Sequence, residues 1–167
     1  MNKLIKRAQR RDADAFTELM QSQMQSMYKT AKMMLRNDED AADAISETIL
    51  ICWEKMGQLR KAEFFKTWMT RILLNECYNI LRQRKHVYPV EEIAEVMEPD
   101  NAYANVEWME MLRRLDEKSR MVLILYYVNG LKTTEIGSVL HIPVSTVRTR
   151  LARGRDQMAK LYGAEQM

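Results

Sequence analysis

The segment from Lys132 to Arg155, KTTEIGSVLHIPVSTVRTRLARGR, admits few folds. Thr134, Glu135, Ile136, Val139 and Leu140 follow a short helical pattern, which His141-Ile142-Pro143 breaks. A second helical pattern then begins and carries Arg148, Arg150, Arg153 and Arg155. Two short helices, a tight turn and a basic second helix are the arrangement that lays a helix into the major groove of duplex DNA. His141 falls at the turn, where a positive φ is often needed; histidine tolerates that conformation better than most residues.

Beyond Pro143 the two faces of the second helix can be told apart. Val147, Leu151, Met158 and Leu161 form one stripe with Gly154 between them, expected to pack on Leu123, Tyr127, Ile136 and Leu140. Ser145, Arg148, Thr149, Ala152 and Arg153 fall on the opposite face. Arginine can donate bidentately to guanine, serine and threonine can bond base or phosphate, and a small alanine lets a helix sit deep. Arg150 and Arg155 lie toward the sides, where phosphates are the natural partners.

The rest of the chain reads as all-α. Gly and Pro are scarce (5 and 3), Met is abundant (14), and few segments alternate apolar and polar at period two. A helix is expected from the N-terminus to a break around Arg10 to Asp14, and a second along Phe16, Leu19, Met20, Met24, Met27, Tyr28, Ala31, Met34 and Leu35. A third is expected over Ala41 to Met56, with Asp38 or Asp40 as N-cap and Gly57 as its stop. A fourth runs from about Phe64 to Lys85. Helix returns at Glu107 to Leu115 and Lys118 to Val128, ending at Asn129-Gly130.

No apolar run approaches the roughly 20 residues needed to cross a bilayer, and the basic N-terminus lacks the apolar stretch of a secretory signal. Cys52 and Cys77 have no CxxC spacing and only two histidines are present, which reads as buried reduced thiols without a metal site in a cytoplasmic protein. Charge is blocked. Residues 1–85 hold 16 Lys+Arg against 11 Asp+Glu; residues 86–106 hold none against five; residues 107–167 hold 10 against 7. That pattern predicts two modules, 1–86 and 107–167, joined by an acidic linker over 87–106 that carries Glu91, Glu92, Glu95, Glu98 and Asp100.

Three features of the first module carry chemistry. Asp40, Asp43 and Glu47 share a helix flank, while Ala41, Ala44 and Thr48 are small enough for close helix contact. The Phe64–Lys85 segment mixes aromatics, amides and a basic end, and such a surface suits unpaired nucleotides, because bases stack on rings while cations follow phosphates. Trp68 and Tyr78, taken singly, read more readily as core. Asn75 either caps a helix break or reads a base edge.

In chain order, DAADAISETILICW, FKTWMTRILLNECYNILRQRK and TTEIGSVLHIPVSTVRTRLARGR, on either side of an acidic linker, resemble an extracytoplasmic-function (ECF, group 4) sigma factor of bacterial RNA polymerase. The resemblance covers nearly the whole chain. It implies sigma-2-like and sigma-4-like helical domains, with bacterial core RNA polymerase (its largest-subunit clamp helices and flap), promoter DNA and an anti-sigma factor as partners. It places Asp40, Asp43, Ile45, Glu47 and Thr48 against the clamp. Phe65, Lys66, Trp68, Arg71, Asn75, Tyr78 and Arg82 would melt and hold the −10 element. Ser145, Arg148, Thr149, Arg150, Ala152, Arg153 and Arg155 would bind the −35 element. The acidic linker would thread toward the path of nascent RNA. Ser46, Gly137 and His141 depart from the family's commoner Gln, Ala and Gly. No cofactor and no catalytic residue is implied.

Two rivals remain. A helix-turn-helix regulator with an amino-terminal dimerisation or sensor domain would need a symmetric operator. An enzyme built on Asp40, Asp43, Glu47 and His86 finds no metal-ligand spacing, nucleophile elbow or phosphate loop in support.

Overall fold

The computed structural model describes residues 1–87 and 103–165. The described residues are helical, with no strand among them. The chain divides into two compact units, 1–95 and 96–167. The acidic residues expected to form the linker, Glu91 to Asp100, lie outside the described residues.

The first unit packs four helices: α1 (Asn2–Gln9), α2 (Ala13–Leu35), α3 (Asp38–Lys55) and α4 (Phe65–Val87). Asp12 caps α2 by accepting from the Ala15 N–H at 3.1 Å, and Arg7 donates to the same carboxylate at 2.7 Å. The Ala15 amide, then Arg7, holds the Asp12 carboxyl below its ordinary pKa. The cap of α3 is Asn37, not Asp38 or Asp40, and its side-chain oxygen accepts from the Asp40 N–H at 3.1 Å. Asp38, Glu39 and Asp40 instead occupy the first turn, where the helix dipole favours negative charge. Nor does Gly57 end α3 in a left-handed conformation. The helix stops at Lys55 and tightens into a 3₁₀ turn, Met56–Gln58.

Between α2, α3 and α4 lies a core of Leu19, Met27, Ala31, Leu35, Met56, Phe65, Met69, Leu73 and Cys77, all essentially inaccessible. On its buried side α3 offers Ala41, Ala44, Thr48 and Cys52, each fully buried. Small side chains there let neighbouring helices come close, as the spacing led one to expect. The Thr48 hydroxyl avoids the cost of an unpaired buried group by donating to the Ala44 carbonyl at 2.7 Å.

The second unit comprises α5 (Tyr103–Arg113), α6 (Glu117–Leu123), α7 (Thr133–Leu140) and α8 (Val144–Glu165). Asp116 caps α6 by accepting from the Ser119 N–H at 3.1 Å. After Leu123 the helix widens over Ile124–Val128, where the Asn129 N–H reaches back five residues to the Ile124 carbonyl. Glu135 accepts from the Lys132 N–H at 3.0 Å and starts α7. The turn into α8 passes through His141 at φ 57°, ψ 44°, the left-handed region that its position in the sequence suggested.

Two close approaches fix α8. A Cβ on Gly137 would lie 2.9 Å from the Ile142 carbonyl oxygen, so the glycine leaves room for the turn's own backbone. At Gly154 a Cβ would meet Leu123 Cδ1 at 2.9 Å. Val147 and Leu151 are buried as expected, whereas Met158 and Leu161 are only half-buried. Tyr127, expected in the same core, is 52 % exposed.

A left-handed conformation costs a non-glycine residue roughly 1–2 kcal/mol, and glycine gives back about 0.5–1 kcal/mol in unfolded-chain entropy. His141 is exposed at that turn. His141→Gly is therefore expected to stabilise the second unit by up to about 1 kcal/mol, raising its melting temperature by a few degrees. A lower melting temperature would show that the imidazole makes a contact worth more than the strain.

Candidate nucleic-acid and partner interfaces

On α3 the five residues expected to meet a partner separate into two groups. Asp43 and Glu47 are exposed. Asp40 has a carboxylate only 15 % exposed and pairs with the Arg84 guanidinium near the end of α4. Ile45, 6 % exposed, and Thr48, fully buried, belong to the core side. For Thr48 the expected role as a contact residue is corrected: it seats the helix whose flank carries the acids, whereas Ile45 also lines an open groove. The acids face a depression against α4, and on the other side of the helix an open groove between α2 and α3, about 620 Å³, is lined by Met24, Tyr28, Ile45 and Ile49. Met24, Tyr28 and Leu50 are large and substantially exposed, at 40 %, 40 % and 49 %. Their helical spacing resembles that of core residues, so the sequence pattern gave no signal of this surface.

On α4, residues 64, 68, 71, 75, 78 and 82 recur at steps of three and four and so share one side of the helix. Phe64, just before the helix, and Asn75, Tyr78 and Arg82 along it are exposed; Trp68 and Arg71 are half-buried. The stripe spans roughly 27 Å at 1.5 Å per residue. Asn75 sits in an uninterrupted helix, so its reading as a cap is removed. Arg82 donates to the Asn79 side-chain oxygen at 2.8 Å, which holds its guanidinium along the helix surface.

Two expected members of this set are misplaced. Phe65 is fully buried and is a core residue. Lys66, half-buried, falls on the side of α4 that also carries Phe65, Met69, Leu73 and Cys77. The aromatic ring that is offered outward is Phe64, 49 % exposed, with the Lys61 ammonium 5.9 Å from its centroid. Adjacent phenylalanines must point in different directions on a helix, and the sequence alone does not say which points out.

On α8, Ser145, Arg148, Thr149, Ala152 and Arg153 are all exposed, as the face assignment required, and Arg150 is half-buried. The Thr149 hydroxyl donates to the Ser145 carbonyl at 3.0 Å. Arg155 is engaged within the unit. Its Nε donates to the Tyr127 hydroxyl at 2.7 Å, and its guanidinium lies 5.2 Å and 5.6 Å from the Tyr126 and Tyr127 ring centroids. The hydrogen bond to Tyr127 raises the pKa of this guanidinium above its ordinary value. Arg153 stands near Asp116. Burial pushes that carboxyl up, but bonds from Ser119 and the field of Arg153 outweigh it, and the net pKa is lowered.

A family model described as Sigma-70 region 2 matches residues 19–87, and one described as Sigma-70, region 4 matches residues 105–158. The first takes in α3 and the α4 stripe; the second takes in α6, α7 and the exposed face of α8. The chain belongs to the sigma-70 family. It is an RNA polymerase sigma factor of the ECF type. Among curated relatives, it is 28 % identical to the ECF RNA polymerase sigma factor SigW of Bacillus subtilis, over 96 % of this chain and 95 % of SigW. Among solved structures, CnrH in complex with the cytosolic domain of CnrY matches with a TM-score of 0.72 at 22 % identity, covering 98 % of this chain and 97 % of CnrH. The sigma factor RpoE in complex with the anti-sigma factor NepR, from Bartonella quintana, matches with a TM-score of 0.71 at 19 % identity, over 87 % of this chain and 97 % of RpoE. Because region 2 occupies the amino-terminal half, the rival reading of a dimerisation or sensor domain there is set aside.

The described part of this sigma factor has no helix long and apolar enough to cross a membrane. Among the described residues no cluster of His, Cys, Asp or Glu could hold a metal ion. Its two thiols are free and buried, and desolvation pushes both up to about 12. At pH 8 the reactive thiolate is then on the order of one part in ten thousand of each cysteine. Cys52 and Cys77 are expected to resist a disulfide reagent such as dithionitrobenzoate in the native protein and to react at two equivalents after denaturation; fast native labelling would place a thiol at the surface.

Proposed function

We propose that the two units of this sigma factor divide the promoter between them. The amino-terminal module, 1–86, binds core polymerase and opens the −10 element; the carboxy-terminal module, 107–167, reads the −35 element as duplex; residues 87–106 connect them. The observation that carries this reading is the pairing of two different nucleic-acid surfaces with the two matched regions. A stripe of rings, an amide and a cation on α4 suits single strands, and a face of serine, threonine, alanine and arginines on α8 suits the major groove.

Polymerase binding is assigned to the exposed acids Asp43 and Glu47, together with the apolar groove of Met24, Tyr28 and Ile49. Exposed acids and an apolar groove carried by the same helix fit a helical partner with an apolar stripe and basic neighbours. On α4, Phe64 offers a stacking face, Asn75 an amide for a base edge, and Arg82 a cation for the backbone. On α8, Arg148 and Arg153 are assigned to guanine and Ser145, Thr149 and Arg150 to base or phosphate. Arg155, tied to its tyrosines, holds α8 in place and lies beside the phosphates.

No step in this mechanism is chemical. Unstacking costs a few kcal/mol per step and is offset by capture of the exposed base and by phosphate contacts. Nucleotidyl transfer and its metal ions belong to the polymerase. The protein works in the cytoplasm, and an anti-sigma factor that covers the groove of α2 and α3 is the expected regulator, a reading encouraged by the anti-sigma complex of RpoE.

Run-off transcription with purified core polymerase tests the whole reading, with initiation expected only when this chain is added; no core-dependent initiation at any selected promoter would sink it. Arg153→Ala is expected to cost about 1–3 kcal/mol at a specific promoter, and an equal loss on all sequences would reassign Arg153 to phosphate. Phe64→Ala should impair opening with the fold intact, whereas Phe65→Ala should cost about 3–5 kcal/mol of stability by emptying the core. Thermal melts alongside permanganate probing of unpaired thymines separate the two phenylalanines.

A further inference from the structure

The carboxy-terminal end of α1 reaches a loop far along the chain. Gln9 is half-buried, and its side-chain amide donates to the Leu59 carbonyl at 2.7 Å and to the Met56 carbonyl at 3.3 Å. Those two carbonyls bracket the turn Met56–Gln58, from which the backbone runs on to Phe64. Two residues beyond Gln9, Arg11 takes a left-handed conformation at φ 68°. Its guanidinium donates to the Trp53 carbonyl at 2.6 Å and to the Glu54 carbonyl at 3.4 Å, and lies 5.0 Å from the Trp53 ring centroid. The last carbonyls of a helix have no partner within it. Here Arg11, in the turn between α1 and α2, supplies donors for two of the last carbonyls of α3, and Gln9 of α1 supplies them for the turn that follows. Ile5 and Ala8, both fully buried, hold α1 where it can do so.

We propose that Gln9 is a positioning residue for the loop from Gly57 to Phe64, fixing where the Phe64 ring and Lys61 are offered to an unpaired base of the −10 element. The proposal rests on the reading of the α4 stripe given above. Leu59 is buried and Phe65 is buried, but Arg60, Lys61, Glu63 and Phe64 between them are exposed. Met56 and Leu59 seat the start of this stretch in the core, and the Gln9 amide holds the carbonyls of both. A stacking platform contributes fully only when its backbone is already ordered, because ordering it during binding costs conformational entropy. Gln9 removes that cost in advance while touching no DNA and no residue of the polymerase-binding flank.

The test uses holoenzyme on a promoter obtained by in vitro selection. Gln9→Met keeps the side-chain volume and removes both donors; Gln9→Lys restores a donor. The expected result for Gln9→Met is a roughly tenfold slower appearance of permanganate-reactive thymines, unchanged competition for core polymerase, and partial recovery with Gln9→Lys. In a Phe64→Ala background, Gln9→Met should add little further loss. A parallel fall in core affinity, or losses that multiply in the double variant, would overturn the proposal and make Gln9 a general structural residue. If Gln9→Met slows opening while Phe64→Ala does not, the loop is positioned for another of its residues and Phe64 is not the platform. If neither variant changes opening, both assignments fail.

Discussion

The amino-terminal unit depends on the small inner face of α3. A helix that buries Ala41, Ala44, Thr48 and Cys52 lets the large core side chains of α2 and α4 pack directly against it. That packing has an electrostatic consequence. It brings Asp40 within reach of Arg84, tying the start of one helix to the end of another, while Asp43 and Glu47 stay in solvent. The same helix therefore supplies core on one side and a charged flank on the other.

The carboxy-terminal unit solves a related problem at a turn. Gly137 leaves room for the Ile142 carbonyl and Gly154 for Leu123, so the two contacts that orient α8 are both made by the absence of a side chain. Between them, Val147 and Leu151 are buried. One turn beyond Leu151, Arg155 clasps the tyrosines of the widened turn after α6. Packing contacts and one cation held over two rings thus fix the rotation of α8, and that rotation decides which arginines face outward.

Much of this was legible from residue spacing. The helix-turn-helix, the left-handed His141, the outward face of α8 and the small face of α3 all follow from periodicity and steric rules that operate within a few residues. What was not legible depends on partners distant in sequence. Thr48 follows an exposed acid in the sequence, yet lies inside because neighbouring helices cover it. Phe64 and Phe65 are chemically identical, and only the junction between a second 3₁₀ turn, Ala62–Phe64, and α4 decides that the first is outside. Asn37 outcompetes Asp38 as the cap by one position, within the ordinary uncertainty of a helix boundary. The bond from Arg155 to Tyr127 spans 28 positions, and that from Gln9 to Leu59 spans 50; no local pattern announces either.

The methionines of the core bear on how such a protein can change over time. Met27, Met33, Met56 and Met69 are buried to 2 % or less, and an unbranched thioether with three rotatable bonds adjusts to gaps that a branched side chain would leave. A core built this way prescribes the shapes of its neighbours loosely. One helix can exchange its packing residues while the others keep their places, and the backbone outlasts most of the side chains that once supported it. A TM-score of 0.72 at 22 % identity is the kind of divergence that such a tolerant interior permits.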